Sequence, residues 1–298
     1  MLQIFTEVLV PVLLVVGIGF SLARAVGTTP QNLTSLAYWV LGPVFVFDVL
    51  SSADLEAGAV SRIVGATALT MVAVALIGAV LSRVLGLGLS LTGASILTAI
   101  YGNAGNFGLA ISGFALGYEI LPIAGLVLVT INTLGILTGV GLANARKGSL
   151  LKAGRSAVSS PLALALIPAL LVNVGEVDLP IWLDRPIGLV AAAMIPVMLL
   201  TLGIQIAGMP RRLPRPLVVL PIALKLLVGP AIAFGAVTLL GVDETAGQVV
   251  ILMAAMPAAV FTSLIALEHD LEADFVTSVV LIGTLVSAIT LPVVISLL

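Results

Sequence analysis

The sequence contains no cysteine, one histidine, and few charges or aromatic rings. Each scarcity removes a class of chemistry. Without cysteine there are no disulfides, iron–sulfur clusters or thiol nucleophiles. The single histidine, His269, argues against a multi-histidine metal site and against a Ser-His-Asp triad. It falls in an acidic turn and reads as a solvated loop residue. Charged residues make up 9% of the 298, against about 25% in an ordinary soluble domain. A soluble chain of this size needs far more polar surface to cover its core. Soluble enzymes, nucleic-acid binders and disordered chains are thereby excluded, and neither a cofactor nor a metal is expected. There is no P-loop pattern, which disfavours an ATP-driven pump. Gly17-Ile18-Gly19-Phe20-Ser21 is no substitute, because it lies inside an apolar run.

In place of charge the sequence has long apolar runs, with 60% hydrophobic residues. A spanning helix takes roughly 20 apolar residues, and ten runs can be marked. They cover Leu2–Ala23, Leu33–Leu50, Arg62–Leu81, Leu89–Leu116, Pro122–Ala143, Pro161–Val174, Pro186–Ala207, Pro216–Leu240, Ala246–Leu267 and Phe275–Leu298. Lipid-exposed backbone must satisfy its own hydrogen bonds, and a barrel would alternate in polarity, so helices are expected throughout. The fold class is an all-α membrane protein. The first run carries Glu7 and lacks a basic leader region, so it reads as a span rather than a cleavable signal.

The few charges orient the loops. Arg24, Arg83, Arg146, Lys147, Lys152, Arg155, Arg211, Arg212 and Arg215 fall on one side of the expected membrane. Asp54, Glu56, Glu119, Glu176, Asp178, Asp184, Asp243 and Glu244 fall on the other. Basic loops mark the cytoplasmic side, which places both termini outside and the expected location in the bacterial inner (plasma) membrane. The turn carrying Glu268, Asp270, Glu272 and Asp274 fits that scheme least, since it lacks Lys and Arg.

A polar stretch at 144–160 divides the chain into five runs before it (1–143) and five after (161–298). An odd number on each side makes the halves inverted with respect to each other. Ile96-Leu97-Thr98-Ala99 in span four resembles Ile251-Leu252-Met253-Ala254 in span nine, an offset of 155 residues. The same offset sets Gly102 against Pro257, Ala104 against Ala259 and Leu109 against Leu264. Pro11 and Pro168 lie mid-span in one and six, as do Pro43 and Pro196 in two and seven. Inverted repeats with matched broken helices are a signature of secondary transporters.

Span four also contains Tyr101-Gly102-Asn103-Ala104-Gly105-Asn106-Phe107-Gly108, a poor lipid-facing helix. Each Gly costs roughly 1 kcal/mol in a helix interior, and buried amides need partners. The segment is expected to unwind at mid-membrane, with Asn103 and Asn106 facing one cavity. Close helix packing is the competing explanation. Span nine has the counterpart Met256-Pro257-Ala258-Ala259-Val260-Phe261-Thr262-Ser263, where Pro257 removes a donor and frees a carbonyl. Two breaks crossing at mid-depth would bring half-helix N-termini together, an arrangement that suits an anion.

These two segments resemble the auxin efflux carrier family, of the bile acid/auxin superfamily type. The carriers of the resemblance are Asn106-Phe107-Gly108-Leu109, Met256-Pro257-Ala258-Ala259 with its acidic turn, and Gly283-Thr284-Leu285-Val286-Ser287-Ala288-Ile289-Thr290-Leu291-Pro292. Ile195-Pro196-Val197-Met198 with Gly203, and Lys225 with Pro230, also fit. The resemblance implies ten transmembrane helices in two inverted five-helix repeats, with broken crossing helices four and nine. It further implies a scaffold and a transport domain moving as an elevator. Known activities of the family include auxin export and bacterial transport of malonate, malate and similar carboxylates. Two departures point to a more apolar substrate: Ala110 stands where the family usually has proline, and Phe261 where it often has asparagine.

The expected function is a secondary transporter, an efflux carrier or permease for small organic anions, and not an enzyme. Candidate substrate-binding residues are Gly102, Asn103, Asn106, Phe107, Asn132, Pro257, Ala258, Phe261 and Thr262. Asp48 is either a proton-coupling carboxylate or an end-of-helix acid facing water. Lys225 either stands in for a coupling cation, draws anions inward, or snorkels to the interface. Thr284 and Ser287 read as helix-packing groups. Gly113 with Gly117, and Gly135 with Gly139, read as packing pairs within one chain. Expected partners are the organic anion and the lipid bilayer. The coupling ion is left open between proton and sodium, and a homodimer is left open. The rival readings are a sodium-coupled symporter resembling the bile acid carriers, an intramembrane enzyme, and a channel.

Overall fold

The computed structural model describes residues 2–54, 56–144, 154–155, 157–209, 216–269 and 271–298. Arg146, Lys147, Lys152, Arg211, Arg212, Arg215 and Asp270, on which part of the orientation reading rests, lie outside them. Among the described residues the chain is helical and contains no strand. The principal helices are α1 (Leu2–Val26), α2 (Gln31–Ser51), α3 (Ala57–Val84), α4 (Leu89–Ile100), α5 (Ala104–Leu116) and α6 (Leu121–Asn144). They continue with α7 (Pro161–Val174), α8 (Ile181–Gly208), α9 (Pro216–Leu239), α10 (Glu244–Ala254), α11 (Phe261–Glu268) and α12 (Ala273–Leu297).

Among the described residues, seven helical stretches are long and apolar enough to cross a membrane: α1, α2, α3, Tyr118–Gly139, α8, α9 and α12. The chain is thus an integral membrane protein. Helices α4, α5, α7 and α10 are apolar but shorter. With 14 residues, α7 reaches about 21 Å at 1.5 Å per residue, short of a hydrocarbon core of about 30 Å. The expected spans four and nine are each divided, into α4 and α5 and into α10 and α11.

Proline placement explains much of the local backbone. Three helices widen into a π turn just before a proline: Phe5–Leu9 before Pro11, Ala37–Leu41 before Pro43, and Leu224–Val228 before Pro230. In each, the residue preceding proline donates five residues back: Val10 to Phe5, Gly42 to Ala37 and Gly229 to Leu224. A proline ring clashes with the carbonyl four residues earlier, and the wider turn moves that carbonyl aside. A fourth π turn, Ala104–Gly108, has the same bond from Leu109 to Ala104, but Ala110 follows it.

Helix pairing follows the small residues and the apolar stripes. α1 packs along the second half of α8, and α2 packs along α7. Gly19 and Gly203 make the first pairing possible. A Cβ on Gly19 would collide with the backbone of Leu200, and one on Gly203 with the backbone of Val16 and Phe20. α3 packs on α4, α6 and α9, while α10 packs on α9. Phe107, Phe275, Leu9, Ile63 and Leu97 are among the side chains fully enclosed by this arrangement.

Candidate functional site

The two breaks meet. After Ile100 the backbone leaves the helix: Tyr101 has ψ 87° and Asn103 has ψ 59°. This frees the Tyr101 carbonyl and the Asn103 amide from helical bonding. The Asn103 N–H donates to the Pro257 carbonyl at 2.7 Å, and the Ala259 N–H donates to the Tyr101 carbonyl at 2.9 Å. Together they form an antiparallel bridge between Gly102 and Ala258. Buried backbone groups must be paired, and each break supplies the partners that the other lacks.

Local chemistry differs at the two breaks. At the first, Gly102 leaves room where a Cβ would stand 2.8 Å from Lys225 Nζ. The Asn103 carbonyl then accepts from Phe107 and Gly108 and restarts the helix as α5. At the second, Pro257 has no N–H to satisfy. The Ala259 carbonyl accepts from both the Thr262 amide (3.0 Å) and the Thr262 hydroxyl (2.6 Å), which starts α11.

A cavity of about 260 Å³ lies against this crossover. One wall comes from the crossover and α6: Tyr101, Gly102, Asn103, Asn106, Asn132 and Phe261. The other comes from α2 and α8, with Thr34, Tyr38, Trp39, Met198, Thr201 and Gln205. No charged side chain lines it among the described residues. Its polarity comes from amides and hydroxyls, and its breadth from aromatic rings.

The Tyr101 hydroxyl donates to Asn132 Oδ1 at 2.6 Å. Among the described residues, Asn132 Nδ2 and Asn103 Nδ2 are both buried without a hydrogen-bond partner. Both residues are nearly inaccessible, at 9% and 3% exposure, and leaving such a donor unmet costs about 1–3 kcal/mol. Asn106 Nδ2 reaches across the cavity to Gln205 Oε1 at 3.2 Å, and Gln205 Nε2 continues to Thr34 Oγ1 at 3.3 Å. The Phe261 ring stacks on Tyr38, with centroids 6.2 Å apart and 15° between planes. It meets Tyr101 edge-on at 6.1 Å.

Of the candidate residues, the structure brings Gly102, Asn103, Asn106, Asn132 and Phe261 together on the cavity wall. Pro257 and Ala258 lie behind them, joined through the backbone bridge. Thr262 is fully buried and bonds to Ala259. Phe107 is buried in the core beside the cavity rather than on its lining. Lys225 sits at the rear of the crossover, against Gly102. Asp48 lies near the far end of α2, facing Gly188 of α8, and is not on the cavity wall. The Thr284 and Ser287 hydroxyls bond to carbonyls of their own helix. Gln205, Thr34, Tyr38 and Tyr101 also line the cavity and are not among the candidates. Gln205 had a signal in the sequence, since it interrupts an apolar run as Asn132 does. Tyr38 and Tyr101 are two of only three tyrosines in the chain.

Residues 143–295 match the family described as membrane transport protein. A 106-residue stretch is 29% identical to a protein of Methanothermobacter thermautotrophicus described as an uncharacterized transporter. That match covers 36% of this chain and 35% of the relative, so the shared region is about a third of the relative's length.

Proposed function

The chain belongs to the membrane transport protein family, that of the auxin efflux carriers, and on that premise we propose that it is a secondary active carrier of small organic anions. The observation that carries the proposal is the pair of unpartnered amide donors, Asn103 Nδ2 and Asn132 Nδ2, buried in two residues that line one cavity wall. A carboxylate accepts hydrogen bonds from such donors without needing a fixed positive charge. The first turn of α5 adds to them. Gly105 and Asn106 lie in that turn on the same wall, and helix N-termini favour negative charge.

The rings of Tyr38, Tyr101 and Phe261 suit a flat apolar body behind the carboxylate. A planar monocarboxylate therefore fits better than a short diacid, whose second charge would meet aromatic faces. The cavity lies between two groups of helices, α1, α2, α7 and α8 on one side and the crossover elements on the other. This division supports an elevator motion of the crossover group against the α1–α8 and α2–α7 pairs. It also supports a repeat of residues 1–143 in 161–298 across the linker 144–160. Exchanging the halves turns the pairing of span one with span seven into that of span six with span two, and both pairings occur. The cavity reaches the first turn of α2 and the last turn of α8, at the end of the bundle where Arg24 sits. In the positive-inside orientation that is a cytoplasm-facing state.

The test is a thermal-shift screen of purified protein against aliphatic and aromatic carboxylates, since a ligand raises apparent stability by mass action. Uptake of the best ligand into proteoliposomes follows, with Asn103→Ala and Asn106→Ala alongside. Both variants are expected to fold and to lose uptake. Undiminished uptake in both overturns the assigned site.

A further inference from the structure

We infer that Lys225 is a tethered cation that fills, at the rear of the crossover, the place a coupling metal ion would otherwise take, so that transport proceeds without sodium. The inference rests on the carrier reading above and adds to it the identity of the charge that balances the crossover.

Lys225 lies in the π turn of α9 and is 5% exposed. Its ammonium packs against the backbone of the first break, 2.8 Å from where a Cβ on Gly102 would stand. The carbonyl of Met253 lies 3.6 Å from the same point. Lys225 borders a cavity of about 20 Å³, lined also by Thr67 and Thr70 of α3, Ile100 and Ala254. Ile100 is the last residue of α4, and Ala254 is the last of α10.

The crossover thus sorts its four helix ends by sign. The N-terminal ends of α5 and α11, with Ala104 and Phe261, line the large cavity. The C-terminal ends of α4 and α10 line the small one. A helix end carries about half an elementary charge, so two C-terminal ends together amount to about one negative charge. One ammonium matches that amount. No carboxylate lines either cavity among the described residues, so the backbone ends are what is there to compensate the buried charge. Thr67 and Thr70 donate their hydroxyl hydrogens to Ile63 and Ala66, which leaves oxygen lone pairs available to the ammonium. Carbonyl ends and hydroxyl oxygens are the donor set that holds a hard cation at a broken helix. Lys225 shares the small cavity with that set and brings to it three N–H donors on a stem that cannot dissociate.

The test compares the wild type with Lys225→Arg and Lys225→Ala. Thermal unfolding is measured in N-methylglucamine, sodium and ethylammonium chloride at equal ionic strength. Wild type and Lys225→Arg are expected to unfold at the same temperature in all three salts. Lys225→Ala is expected to unfold lower in N-methylglucamine and to recover by about 5 °C or more when ethylammonium or sodium can enter the vacated site. A Lys225→Ala protein as stable as wild type in N-methylglucamine overturns the inference, as does one that no cation stabilises. If Lys225→Ala does not accumulate, Lys225→Arg decides: wild-type stability supports the charge role, and equal failure overturns it. In proteoliposomes, wild-type uptake is expected at the same rate with and without sodium, and a sodium requirement also overturns the inference. The unfolding experiment contains no organic acid. It therefore stands or falls independently of whether any acid is carried.

Discussion

The two breaks reach the same backbone arrangement by different chemistry. The first uses Gly102 and two asparagines, and the second uses Pro257 and two alanines. Each exposes one carbonyl and one amide to the other, and in that respect they are interchangeable. Their side chains are not. Asn103 and Asn106 place amides on the cavity wall, where Ala258 and Ala259 bring none. Phe261 gives the second break a ring in place of a polar group. The lesson is a division of labour: backbone geometry is shared, the amides are concentrated in the first half, and on the proposed reading they would take the charged group while the rings of Phe261 and its neighbours take the apolar body.

The largest effect should follow from removing the polar side of that division. Asn103→Ala deletes an unpaired donor and should reduce uptake by about 10- to 100-fold, the equivalent of one hydrogen bond to a charged group. Initial rates in proteoliposomes check it, with circular dichroism to confirm folding. Next comes the seat of the first break. A Cβ on Gly135 would stand 2.5 Å from the Tyr101 ring, and that ring must keep its place for Tyr101 to reach Asn132. Gly135→Ala should cost about 1–3 kcal/mol through overpacking, read as a lowered unfolding temperature together with weaker ligand binding. Phe261→Ala tests the apolar half. It should weaken binding of an aromatic acid roughly two- to tenfold, as expected for loss of a ring pair, and leave an aliphatic acid nearly unaffected. Titration of both acids in the same thermal-shift assay separates these outcomes. The smallest effect on transport belongs to Pro257→Ala. The carbonyl that Asn103 bonds is backbone and persists, so transport should be retained, while stability should fall by about 0.4–1 kcal/mol of chain stiffness and by about 1–3 kcal/mol more if the buried N–H that alanine adds finds no acceptor. If Pro257→Ala abolished uptake at unchanged stability, the second break would have a chemical role that this comparison denies it.

Much of this was legible in the residues. Three glycines and two asparagines in eight positions of an otherwise apolar run predict a broken helix, because such a run is a poor helix wherever lipid must be faced. Pro257 predicts the second break for the same reason. That the two would touch is less direct. The internal offset set Gly102 against Pro257, and the structure pairs Gly102 with Ala258, one residue along. Side-chain direction was not legible. Phe107 and Thr262 share the crossover with Asn103 and Phe261, yet both turn into packed surroundings, since a helical residue's face depends on where the helix restarts. The π turns shift that phase and cannot be read from periodicity. Nor could the opposite wall be found from the crossover segments alone. Gln205 and Tyr38 sit more than 50 residues from either break in sequence and meet them only through the packing of α2 and α8. Lys225 was visible as a charge within a span, but its seat behind Gly102 follows from three-dimensional neighbours.

The bridge at Gly102 and Ala258 has a mechanical consequence. Its hydrogen bonds are made by main-chain atoms alone, so it acts as a rivet that holds wherever the side chains around it leave room, as Gly102 does beside Lys225. Two hydrogen bonds at the centre of four short helices remove the relative sliding that either broken helix would otherwise have. The two halves of the crossover are thereby tied together, so that a displacement imposed on one would be passed to the other. Binding that tightens the Asn103 side must therefore be felt at Phe261, with no relay of side chains between them.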